Sequence, residues 1–87
     1  MAYSVVFTTL AERSITNLDR SIAARIRPKI LNLGNDPRPR RSVKLAGSSE
    51  LYRIRIGDYR VVYRIDDKQQ LVEITIIAHR REVYRGI

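Results

Sequence analysis

The sequence predicts an α+β fold, with two N-terminal helices packed on one face of a small, mainly antiparallel sheet in the order β-α-α-β-β-β-β. Apolar residues recur near helical period between residues 9 and 33, and from residue 50 onward the period changes to alternation. Gly57-Asp58 and Asp66-Asp67-Lys68 then cut the alternating stretch into pieces of strand length.

Residues 3–7 (YSVVF) are β-branched and aromatic, which predicts a first strand. Thr9 and Glu12 have capping-box spacing and open a helix with Ala11, Ile15 and Leu18 on one face. Asp19 is the expected cap of a second helix, whose apolar stripe is Ile22, Ile26, Ile30 and Leu33. Gly34 and the following Asn35-Asp36-Pro37 end it. Pro28 falls inside this helix, where a proline costs about 3 kcal/mol, so a kink or break is expected there.

Residues 37–44 (PRPRRSVK) carry four basic side chains and no acid. They read as an irregular basic loop running into a short strand at residues 42–45, with a turn at Gly47-Ser48-Ser49. Residues 50–56 (ELYRIRI) put Tyr52, Ile54 and Ile56 on one face and Arg53 and Arg55 on the other. After the Gly57-Asp58 hairpin, residues 59–65 (YRVVYRI) return with Tyr59, Val61, Tyr63 and Ile65 opposite Arg60, Val62 and Arg64. Residues 70–78 (QLVEITIIA) supply the last strand.

Length and composition narrow the function. The 87 residues fit one domain, residues 1–87. With no cysteine and one histidine, thiol nucleophiles, disulfides and a structural zinc site are excluded, and no cofactor or metal is expected. No apolar run reaches bilayer-spanning length and the N-terminus lacks a signal pattern, so a cytoplasmic protein with no membrane partner is expected. The charge is the strongest signal: 17 Lys and Arg against nine Asp and Glu give a net +8. Such an excess predicts affinity for a polyanion by counterion release, RNA first among them. A solubilising surface or an acidic protein partner remains open on charge alone.

Alternation adds a spatial statement. If the apolar residues face the helices, Arg53, Arg55, Arg60 and Arg64 share the opposite face, where like charges repel. A bland reading is a solvated face partly compensated by Glu73; clustered arginines also suit phosphate binding. The tail from residue 79 adds His79, Arg80, Arg81 and Tyr84. RNA is cut without metal when its 2′-hydroxyl attacks the adjacent phosphate, given proton donors and acceptors and cations around the phosphorane. His79 and Tyr84 can exchange protons; the arginines cannot. Arg25 and Lys29 on the second helix, with Arg20 and Arg27, and Arg38, Arg40, Arg41 and Lys44 in the basic loop and strand, would meet further RNA phosphates, as would Arg64 and Arg81. For each of these taken singly, an ordinary solvated surface is the simpler reading.

The stretch LYRIRIGDYRVVYRIDD (residues 51–67), followed by EITIIAHRREVYR (residues 73–85), resembles the RelE/ParE superfamily of bacterial type II toxins, the RelE branch most closely. The resemblance covers residues 45–85 and extends more weakly to MAYSVVFTTLAERSI at the N-terminus. It implies the RelE-like, microbial ribonuclease-type fold and a ribosome-dependent endoribonuclease that cleaves mRNA in the A site. It also implies a cognate antitoxin as partner, acidic and partly disordered, with DNA bound only through that antitoxin. Carried over position by position, Arg53 and Arg55 match two basic residues of the catalytic strand and Arg60 an arginine on the scissile phosphate. Arg80 matches the arginine that stabilises the transition state, and Tyr84 the tyrosine that stacks on the substrate base. The best-known member has lysines at the positions of Arg53 and Arg55, so here these two fit electrostatic stabilisation rather than base catalysis. Tyr84 is then the leading proton-transfer group and His79 the next. Two other readings stay open: a ParE-like gyrase inhibitor without RNA cleavage, and an inactive toxin acting only as antitoxin-binding and repressor subunit.

Overall fold

A computed structural model describes residues 2–47 and 50–82 of the chain. The elements are β1 (Ser4–Phe7), α1 (Thr9–Thr16), α2 (Arg20–Leu31), a 3-10 turn (Asn32–Gly34), β2 (Val43–Lys44), β3 (Leu51–Ile56), β4 (Tyr59–Asp66) and β5 (Leu71–His79). The five strands form one sheet in the order β1-β5-β4-β3-β2. β1 runs parallel to β5, and every other pairing is antiparallel. Both helices lie on one face, as the periodicity predicted. Ile15 and Ile30 pack with Val61, Tyr63, Val72 and Ile74 in a core from which water is excluded. No helix among the described residues is long and apolar enough to cross a membrane.

Local differences from the sequence reading have physical causes. The cap of α1 is Thr8, one residue earlier than expected, and its Oγ1 accepts the Ala11 amide at 3.1 Å. The third helical position is therefore Ala11 rather than Glu12, and no Thr9–Glu12 capping box forms. Asp19 occupies the cap position of α2 without a side-chain bond; its carbonyl accepts the Ala23 amide at 2.9 Å. Pro28 does not break α2, which runs on to Leu31. Pro28 lies within the last turn and both it and Ala24 are exposed, so water can satisfy the one carbonyl that the ring deprives of its donor.

One irregularity governs where the later residues point. Val62 pairs with Ile76 while its neighbour Tyr63 pairs with Ile74, so Thr75 is an extra residue in β5. Thr75 Oγ1 donates to the Val62 carbonyl at 3.0 Å, and the Thr8 hydroxyl donates to the Thr75 carbonyl at 3.3 Å. Before this bulge Val72 and Ile74 face the helices; after it Ile77 does, and Ile76 and Ala78 are turned away, opposite Val62 and Arg60.

Gly34 holds the far end of β1. It is buried, its carbonyl accepts the Tyr3 amide at 2.7 Å, and a Cβ there would lie 2.7 Å from the Tyr3 carbonyl oxygen. That contact is with backbone, which cannot swing aside. Gly34→Ala is therefore expected to lower stability by about 1–3 kcal/mol in denaturant unfolding, with the m-value unchanged.

Candidate nucleic-acid interface

Register places the sheet arginines. Arg55 lies directly opposite Arg60, whose other neighbour is Ala78 on β5. Arg53 lies opposite Val62, which in turn pairs with Ile76. These residues share the face away from the helices, so Arg53, Arg55 and Arg60 stand over a floor of Val62, Ile76 and Ala78. Val62 and Ala78 are buried although neither belongs to the helix-side core. Arg53 and Arg60 are half-buried and Arg55 is exposed. Two like charges facing each other across a ladder oppose folding.

Arg64 shares this face but has different company. Its Nε lies 3.1 Å from Glu73 Oε1, and its Nη1 lies 3.7 Å from both Glu50 and Asp66. The bond to Glu73, followed by the nearby acids, pushes the guanidinium pKa up. The compensation by Glu73 anticipated from the sequence thus applies to Arg64, which is spoken for by carboxylates.

Arg38 is also tied down. Its Nη2 and Nη1 reach the two oxygens of Asp67 at 2.8 and 3.3 Å, its Nε donates to Tyr52 Oη at 3.0 Å, and its guanidinium lies over the Tyr52 ring, 5.3 Å from the centroid. Tyr3 Oη donates to the same carboxylate at 2.7 Å, so Asp67 joins the N-terminal strand to the basic loop. Tyr63 Oη closes the arrangement by donating to the Pro37 carbonyl at 2.8 Å, and burial pushes its phenol up to about 12. Arg38 and Asp67 thereby anchor the loop from which the exposed Arg40 and Arg41 project.

The tail residues divide between faces. His79 pairs with Tyr59 and meets its ring edge-on at 5.1 Å between centroids. It lines a cavity of about 210 Å³ with Ile22, Arg25, Ile26, Lys29 and Tyr59, on the helix side of the sheet and away from Arg55 and Arg60. Arg80 continues the ladder by one step: its amide donates to the Asp58 carbonyl at 2.7 Å and its Nε lies 3.9 Å from Asp58 Oδ1. Alternation continued one residue beyond β5 would put it on the face of Ala78 and Arg60. Arg81 is exposed, and Tyr84 lies outside the described residues.

The remaining basic residues form a second group. Lys29 and Arg41 line a groove of about 480 Å³ whose floor includes Ile54 and Ile56, and Arg25 and Lys29 flank the His79 cavity beside it. Lys44 pairs with Tyr52, which packs on the core, and so points away from Arg53. The sequence grouping therefore separates in space into a sheet-face set, Arg53, Arg55 and Arg60, and a helix-side set, Arg25, Lys29 and Arg41, while Arg80 is held at the β3–β4 hairpin by Asp58. Sequence reading passed over Asp67 and Asp58 as turn residues; their acidic type among so many arginines was the available signal.

With this geometry in place, comparison with known proteins is decisive. Residues 5–84 match the family model described as the ParE toxin of a type II toxin-antitoxin system, parDE. The chain belongs to the RelE/ParE superfamily of type II toxins. It is 38% identical to toxin RelG of Mycobacterium tuberculosis over 90 aligned residues, covering 98% of this toxin and 99% of RelG. It is 41% identical to toxin RelE of the same organism over 85 aligned residues, covering 95% of this toxin and 87% of that relative. A chain of the RelBE2 toxin–antitoxin complex from M. tuberculosis superposes with a TM-score of 0.81 at 32% identity, over 94% of this toxin and 95% of that chain. The RelE-like fold expected from residues 45–85 is thereby established.

Acid tests the Asp67 anchor. The Arg38 bond, followed by the Tyr3 bond, holds the Asp67 carboxyl below the usual carboxylate range. The unfolded chain then binds the proton more readily, so this contribution to stability is complete above the ordinary aspartate pKa of about 3.9 and is lost as pH falls through the lowered folded value. Asp67→Asn is expected to flatten the stability-versus-pH curve in that acidic window, read from urea midpoints at a series of pH values.

Proposed function

We propose that this toxin is a ribosome-dependent endoribonuclease that cleaves mRNA in the A site. The 2′-hydroxyl attacks the adjacent phosphate without a metal, and translation is inhibited in the cytoplasm as a result. The observation that supports this reading best is the Arg55–Arg60 pair, set opposite each other with Ala78 beside Arg60 and Arg53 on the same face. A folded protein gains nothing by opposing two guanidinium groups, whereas a pentacovalent phosphorane carries the charge that would make the arrangement favourable.

In this reading Arg53, Arg55, Arg60 and Arg80 stabilise the phosphorane, and Tyr84 stacks on the base and serves proton transfer. Arg40, Arg41, Arg25 and Lys29 contact ribosomal phosphates and carry no sequence preference. Arg64 and Arg38, held by carboxylates at 3.1 and 2.8 Å against the 3.9 Å between Arg80 and Asp58, contribute less. A cognate antitoxin, acidic and partly disordered, covers the basic surface and supplies any DNA binding. The family model's description as a ParE toxin favours one second reading, a gyrase inhibitor without RNA cleavage.

Primer extension on mRNA bound to programmed ribosomes, beside the same mRNA free, separates the two. Cleavage at the A-site codon only with ribosomes present is expected. Arg60→Ala and Arg80→Ala should each lower the rate by about 100-fold or more, as removal of an oxyanion-stabilising donor does, and Tyr84→Phe by at least as much. Arg64→Ala should change it much less than Arg55→Ala. Inhibition of gyrase supercoiling with intact mRNA would instead establish the second reading.

A further inference from the structure

Three hydrogen bonds fold the tail back on itself beyond β5. The Arg81 amide donates to His79 Nδ1 at 3.1 Å, the His79 amide to Glu82 Oε1 at 2.8 Å, and the Glu82 amide to the His79 carbonyl at 2.9 Å. The same turn is joined to the β3–β4 hairpin by the Arg80 amide on the Asp58 carbonyl. An imidazole nitrogen that accepts a hydrogen bond carries no proton, so the ring hydrogen of neutral His79 is assigned to Nε2. That edge belongs to a ring lodged beside Tyr59, Ile22 and Ile26 on the helix side of the sheet.

We propose that His79 is a positioning residue, whose Nδ1 caps the Arg81 amide and so sets the turn that carries Arg80 to the arginine face, and that it exchanges no proton with RNA. The proposal rests on the ribonuclease reading for the task of Arg80, and it stands on two independent observations. The first is the Thr75 bulge, which puts the ring and the Arg55–Arg60 pair on opposite sides of the sheet. The second is the engagement of Nδ1 within the tail itself. Charged and titratable groups around the ring are Arg25 and Lys29 from α2, Asp58 and Tyr59 from the hairpin and β4, and Arg80 and Glu82 from the tail. None of them is Arg53, Arg55 or Arg60, and Arg80 is the one group among them that the proposed site also uses.

The chemistry of the turn supplies its own control. An asparagine side-chain oxygen accepts an amide two residues on, as an Asx-turn, and so reproduces the His79–Arg81 bond without an imidazole. Phenylalanine keeps a ring against Tyr59 and has no acceptor. Single-turnover cleavage of ribosome-bound mRNA is measured across pH for the wild type, His79→Asn and His79→Phe. Rescue is expected in His79→Asn, within about threefold of wild type and with the same pH profile, whereas His79→Phe loses about tenfold or more. Equal large losses in both variants, with an altered pH profile, would overturn the proposal in favour of proton transfer.

Two readouts need no catalysis and keep this inference separate from the function it serves. Nitrogen-15 shifts of the wild-type imidazole should report the Nε2–H tautomer, and a proton on Nδ1 in the neutral ring would refute the assignment. Hydrogen exchange at the Arg81 amide should be slowed in the wild type and in His79→Asn and fast in His79→Phe; exchange equally fast in all three would refute the turn. If the wild type cuts no mRNA, the ribonuclease reading fails and these two measurements still judge the turn.

Discussion

Thr75 is one residue more than β5 needs to pair with β4, and the two halves of β5 face opposite ways because of it. Uninterrupted alternation from Val72 and Ile74 would have sent Ile76, Ala78 and Arg80 under the helices and left Ile77 and His79 outside. The bulge reverses the second half: Ile77 enters the core, Ala78 lies beside Arg60, and His79 turns toward α2. Thr8 ties this irregularity to the rest of the fold. Its amide donates to the Ile74 carbonyl, its hydroxyl donates to Thr75, and the same oxygen caps α1. The start of the first helix and the orientation of the tail are thus set at one point.

Electrostatics then distinguishes the arginines by their surroundings. Where the protein needs a fixed cation it supplies carboxylates, as Glu73, Glu50 and Asp66 do for Arg64 and Asp67 does for Arg38. At the Arg55–Arg60 pair it sets two cations against each other. Like charges so placed repel, and under the proposed function the phosphorane is the anion that they meet. The helix-side residues Arg25, Lys29 and Arg41 differ again. They border an apolar groove rather than one another, and suit a broader surface contact.

Much of this was legible in the residues. Period alone separated the helices from the sheet, because Ile30 and Leu33, three residues apart, cannot share a face in a strand, nor Ile54 and Ile56 in a helix. Alternation also put Arg53, Arg55 and Arg60 on one face before any register was known. In β5 the signal fails: ITIIA has apolar residues at both phases, so nothing in it marks Thr75 as the extra residue or says which way His79 points. Arg38 reads as a free basic side chain because its carboxylate is 29 residues away in sequence. The parallel pairing of β1 with β5 was likewise invisible, since it joins the two ends of the chain.

The direction in which His79 points carries the whole arrangement, and nuclear Overhauser contacts of its imidazole protons in the free toxin measure it directly. Contacts to the Tyr59 ring and to the methyl groups of Ile22 and Ile26 are predicted, with none to Val62 or Ala78. Contacts to the Ala78 methyl or to the Arg60 side chain would mean that the bulge does not reverse β5. His79 and the Arg55–Arg60 pair would then share one face of the sheet.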